Sequence, residues 1–213
     1  MSVPATRVPT RAALLDAGRE VVLAEGFAAL TVRRVAASAG ANLGSFVYHF
    51  HTRDAYVHEL LESWYAPVMT RVGEVSHSEL SSLERLRKAI LQLIDFGAEQ
   101  ERFLSRVLVA AAAGDEPART FLGSMAGRHP RVILKLIRVA QAERLLVREH
   151  PTHIMLFIFA SVGLPRLLAT AWEGQPLVGK RLTATLFRMA RDRERTVQRL
   201  DWALKGLGTG AKR

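Results

Sequence analysis

Between Thr31 and Arg53 the chain reads TVRRVAASAGANLGSFVYHFHTR, and here side chains capable of chemistry crowd together. Thr31, Asn42 and Thr52 each stand directly before a helical run. A short oxygen-bearing side chain there accepts from the free N–H groups of a helix start. Arg33, Arg34 and Arg53 put positive charge on the flanks, and Ser45, Tyr48 and His49 add hydroxyl and imidazole groups. The chemistry on offer is donation to anionic oxygens, above all phosphate, assisted by the positive ends of helices. It is not bond-making chemistry. The chain has no Cys, so a thiol nucleophile and a thiolate metal site are excluded. It also lacks a Ser-centred nucleophile elbow, a Gly-rich phosphate loop and an HExxH pattern. No enzyme activity, cofactor or metal is expected.

The remaining polar residues in or beside apolar stretches are Asp95, His129, His153 and Arg166, each expected to be a satisfied core or rim group. Glu84, Asp95 and Glu99 have basic neighbours and read as surface charge. His150 and His153 lie three apart, but Pro151 between them and the lack of carboxylates beyond Glu149 argue against a metal site.

The elements that must position these groups are helices. Pro and Gly are sparse, and apolar residues recur at spacings of 3 and 4 rather than 2. The expected fold is all-α, with about nine helices: an N-terminal three-helix domain over residues 1–52 and a helical bundle over 53–213. The first helix starts at the N-cap Thr10, runs to about Glu25 and buries Leu14, Ala17, Val21 and Ala24. Gly26 stops it. The second follows Thr31 and ends at Gly40. The third, led by Asn42, runs from Leu43 to about His49 with Phe46 and Phe50 inward. The fourth, led by Thr52, spans Arg53 to about Glu74.

Further helices are expected near 81–100, 101–113, 116–146 with a break at His129-Pro130, 152–172 with a kink at Pro165, and 191–207. A loop follows at Glu173-Gly174-Gln175-Pro176, and the span 177–190 stays open between a separate short helix and part of the last one.

A two-turn helix, a tight Ala39-Gly40-Ala41 turn and a second short capped helix make a helix-turn-helix pattern. A helix of about seven residues is roughly 10 Å long, against a major groove about 12 Å wide. Its outward face would carry Leu43, Gly44, Ser45, Val47, Tyr48 and His49. Leu43, Val47 and Tyr48 suit thymine methyls, and Gly44 permits close backbone approach. Tyr48 and His49 suit phosphates or base edges.

On these residues the segment 10–60 resembles the DNA-binding domain of the TetR family. The matching stretches are Arg11, Gly26-Phe27, Thr31, Val35-Ala36, Ala39-Gly40-Ala41-Asn42, Gly44-Ser45-Phe46-Val47-Tyr48-His49-Phe50 and Arg53-Asp54. The resemblance implies DNA contacts at Thr31, Arg33, Ser45, Tyr48, His49 and Arg53, with Leu43 and Gly44 at the base edges. It also implies a C-terminal body with a ligand cavity and a two-helix dimer face. Two positions depart from the family pattern. Val47 replaces a Tyr, with Tyr48 one place later, and Arg53 replaces a Lys, which changes donor geometry.

The segment His153–Leu164, HIMLFIFASVGL, is apolar all the way round and must be covered on all sides. It is too short to span a bilayer. A homodimer covers it most simply. Ile154 and Ile158, with Val197, Leu200 and Leu204 of the last helix, are the expected interface. For a ligand pocket the bulky apolar choices are Phe96, Phe103, Phe121, Met125, Phe157 and Trp172.

Net charge is +10, but the first 60 residues carry only +1. The excess lies in the last third and reads as solvated surface. No targeting segment is visible, so a cytoplasmic protein is expected, without a membrane partner. The expected function is a regulator binding double-stranded DNA at a palindromic operator, a repressor released by a small, mainly apolar effector. The alternative is an architectural DNA-binding protein without an effector.

Overall fold

The computed structural model describes residues 11–174 and 178–210. The expected cap Thr10 and the loop residues Gln175 and Pro176 lie outside them. Among the described residues there are twelve α-helices, two 3-10 turns and no strand. The count exceeds nine because the expected helix 116–146 is α7 (Glu116–Ser124) and α8 (His129–Ala142). In the same way 152–172 is α9 (Pro151–Val162) and α10 (Leu164–Ala171). Pro130 and Pro165 each sit in the first turn of the new helix, where a missing N–H costs nothing. The open span 177–190 contains a separate helix, α11 (Lys180–Arg191), before α12 (Arg193–Leu207).

The chain forms two compact units. The first holds residues up to Ala66 and Arg102–Ser124, and the second holds Pro67–Glu101 and everything after Ser124.

In the first unit, α1 (Arg11–Glu25), α2 (Val32–Ser38) and α3 (Leu43–Phe50) pack with the start of α4 (Arg53–Ser76). Leu14, Ala17, Val21 and Val22 form the buried stripe of α1, while Ala24 is exposed. Gly18 is also buried. A Cβ there would lie 1.7 Å from the Tyr56 hydroxyl oxygen, so only glycine admits the close approach of α1 and α4. The Tyr56 hydroxyl donates to the Leu14 carbonyl at 2.7 Å, and burial holds its ionisation well above the ordinary tyrosine range. Phe46 and Phe50 close on Tyr56, with ring centroids 4.9 and 4.8 Å away. Trp64 adds Phe103 of α6 (Glu101–Ala112) at 5.0 Å and Phe121 of α7 at 6.2 Å. These rings are the core on which the N-terminal helices stand.

In the second unit, α5 (Ser82–Glu99) pairs with α8, and α9 lies among α8, α10 and α12. A Ser81–Glu84 capping box opens α5. Two forked pairs join α5 to α12: Arg87 with Asp201 at 2.7 and 3.1 Å, and Arg193 with Asp95 at 2.7 and 2.9 Å. Arg166 meets Glu101 at 2.6 Å, and Arg191 and Thr170 complete that cluster. Burial pushes the Glu101 carboxyl up, but its hydroxyl and guanidinium partners outweigh this and hold it below the ordinary range. Among the described residues no single helix is long and apolar enough to cross a membrane; α9 and α10 reach that length only together, across a 46° bend.

Candidate nucleic-acid interface

Three capped helix starts frame the site. Thr31 Oγ1 accepts from Arg34 N at 3.2 Å, Asn42 Oδ1 from Ser45 N at 2.8 Å, and Thr52 Oγ1 from Ala55 N at 3.1 Å. These oxygens are occupied by their own helices, so what the three sites present outward is the remaining N–H groups and the positive helix ends. Gly40, at φ 62°, makes the turn between α2 and α3, and Ala41 N returns to the Ala36 carbonyl at 2.8 Å.

On α3 the apolar side chains divide cleanly. Phe46 and Phe50 are buried, whereas Leu43 is 46% exposed, Val47 50% and Tyr48 79%. Gly44 is exposed, and Ser45 and His49 are half-buried. The Tyr48 and His49 rings meet edge to face at 5.1 Å, which steadies both. The eight residues of α3 make a rod about 12 Å long, matched to the major groove. Large apolar groups held out in water on a capped helix are suited to contact bases rather than to hold a core.

The flanking arginines separate into two kinds. Arg33 is exposed and makes no ion pair among the described residues. Arg34 instead reaches back to Glu25 at the end of α1, at 2.5 Å, and its neighbour raises its basicity further. Arg53 turns onto the Leu30 carbonyl at 3.0 Å and Asp115 at 2.8 Å. Arg11, from the resemblance, pairs with Glu59 and lies over the Phe50 ring at 5.4 Å.

Two features of the site carry no local signal in the sequence. His51 ends α3 at φ 60° and ψ −53°, with Thr52 N bonded to the Phe50 carbonyl at 2.6 Å. That is a strained three-residue turn without the usual glycine. Asp115 lies 62 residues beyond the arginine it holds.

The expected pocket residues fall in both units. Phe103 and Phe121 are core of the first unit. Phe96 is buried and Met125 half-buried in the second, where Phe157 and Trp172 are exposed. The expected interface residues pack within the chain itself. Ile154, Ile158, Leu200 and Leu204 are buried within their own unit and Val197 is half-buried, because α9 and α12 pack against one another. Large apolar residues facing outward include Leu156, Phe157 and Phe159 on α9, Leu164 and Leu168 on α10, Leu182, Leu186 and Met189 on α11, and Trp202 on α12.

Among the four polar residues singled out by sequence, Asp95 and Arg166 are paired as above and His153 is exposed beside Glu149 at 3.8 Å. His129 is half-buried, and burial lowers its pKa to about 4. Among the described residues no group of three or more metal-binding side chains gathers.

A short capped helix with its side chains turned outward, braced by a second across a glycine turn, defines a helix-turn-helix DNA-binding protein. Residues 14–60 match the family model described as bacterial regulatory proteins, tetR family. A Rhodococcus protein assigned to that family is 20% identical, covering 92% of this chain and 97% of its own, with a TM-score of 0.67. SmeT, the repressor of the Stenotrophomonas maltophilia multidrug efflux pump SmeDEF, is 18% identical over 95% and 92%, at 0.66. PfmR from Thermus thermophilus is 14% identical over 94% and 99%, at 0.63. At these identities the structural likeness is one of fold. No curated protein matches the sequence. Residues 14–60 thus match the helix-turn-helix domain of the tetR family, and the chain as a whole shares the fold of the regulators it is similar to.

Proposed function

We propose that the protein reads a palindromic operator as a homodimer and is released from it by a small, mainly apolar effector. The observation that carries the DNA-reading half is the division on α3: two phenylalanines hold it down, and Leu43, Val47 and Tyr48 face away from the core. Gly44 lets the backbone approach, and Ser45 and His49 flank the bases. Arg33 and the N–H groups at Thr31, Asn42 and Thr52 take phosphates. Functionally the DNA-contacting part ends at residue 52, and 53–213 serve sensing and dimerisation.

The outward apolar residues of α9, α10 and α11 support the dimer. A row of this size is normally covered by protein, and a two-fold copy covers it with itself. The proposed contact face therefore takes in α11. Two heads on one axis meet major grooves about 34 Å apart, which makes the operator a palindrome. Effector binding shifts the population toward a state in which α4 swings as a lever and the spacing is lost. SmeT, a repressor of a multidrug efflux pump, lends support to a repressor reading. The protein then works in the cytoplasm.

Selection of bound fragments from randomised duplex DNA tests the reading. The expected winners share a palindrome and exceed random duplex by roughly 10³-fold or more. Equal binding of all sequences would instead make the chain an architectural DNA-binding protein.

A further inference from the structure

Arg53 opens α4, a place where the sequence expects a phosphate contact, yet its guanidinium is turned inward. Nε donates to the Leu30 carbonyl at 3.0 Å and Nη2 to the Phe27 carbonyl at 3.4 Å. Both carbonyls belong to the connection from α1 that leads into Thr31, the cap of α2. Nη2 also meets Asp115 Oδ2 at 2.8 Å, and the Asp115 side chain is only 16% exposed. The other Asp115 oxygen accepts from Ala118 N at 3.1 Å and caps α7. One carboxylate thus joins α7 to the arginine that joins α4 to the α1–α2 connection. The Arg53 side chain is 32% exposed and its Nη1 also lies 3.4 Å from the exposed Asp54, but a charge-assisted pair with a largely buried carboxylate is hard to exchange for a hydrated phosphate contact.

The same segment is bound to the head elsewhere. Phe103 meets Phe27 edge to face at 6.1 Å, and the Arg19 guanidinium lies over the Phe103 ring at 5.6 Å. Arg102–Ser124 thus packs as part of the first unit, although the chain leaves that unit at residue 66 and returns only at 102.

We propose that Asp115, outside the helix-turn-helix, is a positioning residue for DNA reading. It acts through Arg53, which fixes the connection into α2 and so the angle at which α2 and α3 meet the groove. Arg53 is then a brace within the protein and not a ligand of the DNA backbone. The inference rests on the DNA-reading function proposed above.

The experiment compares wild type, D115N, R53Q and the double variant on the selected operator and on random duplex, across a salt series. Thermal melts set a working temperature at which all are folded. D115N keeps an oxygen for Ala118 N, so the α7 cap survives, and R53K replaces R53Q if the latter does not fold. The expected result is a loss of about tenfold on the operator for each single variant, and no further loss in the double. Random-duplex affinity and the salt slope stay as in wild type. A purely structural role would leave the operator-to-random ratio unmoved in the folded variants, and that result overturns the proposal. So does a salt slope lowered by about one in R53Q, which marks a phosphate ligand. Unchanged or tighter operator binding by D115N overturns it too. Wild type without any sequence preference is a different failure: it removes the DNA-reading function itself.

Discussion

The reading head and the α9–α11 face both hold large apolar side chains in water, but by different means. In the head, α2, α3 and α4 each start on a side-chain cap, and the exposed Leu43, Val47 and Tyr48 stand on a helix anchored by Phe46 and Phe50. On the second unit, α9, α10 and α11 start at His150, Gly163 and Gly179 with no side-chain cap, and eight outward apolar residues run along them. A frame that holds itself can present side chains to a polar, hydrated groove. A face without such a frame gains its order from what covers it. On the proposed function the first is a nucleic-acid surface and the second a protein surface, and the local satisfaction of the helix starts, rather than exposure, tells them apart.

The largest expected effect lies on the α9–α11 face, the proposed dimer contact. Leu182→Asp with Leu186→Asp is expected to raise the dimer dissociation constant about thousandfold, or about 4 kcal/mol. Sedimentation equilibrium checks this, and an undisturbed dimer would move the interface elsewhere. Next comes the frame of the head. Gly18→Ala drives a methyl group into the Tyr56 hydroxyl and should cost about 3 kcal/mol in urea unfolding. A neutral result would mean that α1 and α4 separate freely.

A comparable effect belongs to the second unit alone. His129 takes a proton at about pH 4 when folded and near 6.5 when unfolded. The unfolded chain thus binds more protons between these values, and stability falls as pH drops through that window, by up to about 3 kcal/mol. His129→Gln should flatten this acid slope; an unchanged slope would assign it to other groups.

Smaller effects sharpen the head. Tyr48→Ala should weaken operator binding by about 1–3 kcal/mol without altering the melting temperature. Equal affinity in a gel shift would remove Tyr48 from the contact set. His51→Gly relieves a left-handed backbone and should add about 1 kcal/mol of stability. A melting temperature that stays put would show the turn to be unstrained.

The legibility of the two regions differs for the same reason. Caps, glycine turns and the spacing of Phe46 and Phe50 act within a few residues, so helix limits in the head lie within one residue of the sequence reading. The second unit is set by packing between distant segments. From sequence, Ile154 and Ile158 look as available as Leu156 and Phe159; only the arrival of α12 from forty residues away decides which pair is buried. The inward bonding of Arg53 is hidden in the sequence for a similar reason. Its partner Asp115 is remote, and a basic residue at a helix start reads as a phosphate ligand unless an acid elsewhere claims it. Gly18 left one trace, a glycine inside a helix, where it ordinarily weakens the element.

The bond from Tyr56 to Leu14 also bears on where the head can be cut free. A fragment ending at residue 52 leaves out Tyr56, Val57, Leu60 and Leu61, all of them buried. It would leave Gly18 facing an empty notch and the Leu14 carbonyl without its phenol. Transplanting this head onto another sensor therefore calls for a graft that carries the opening turns of α4 along with it.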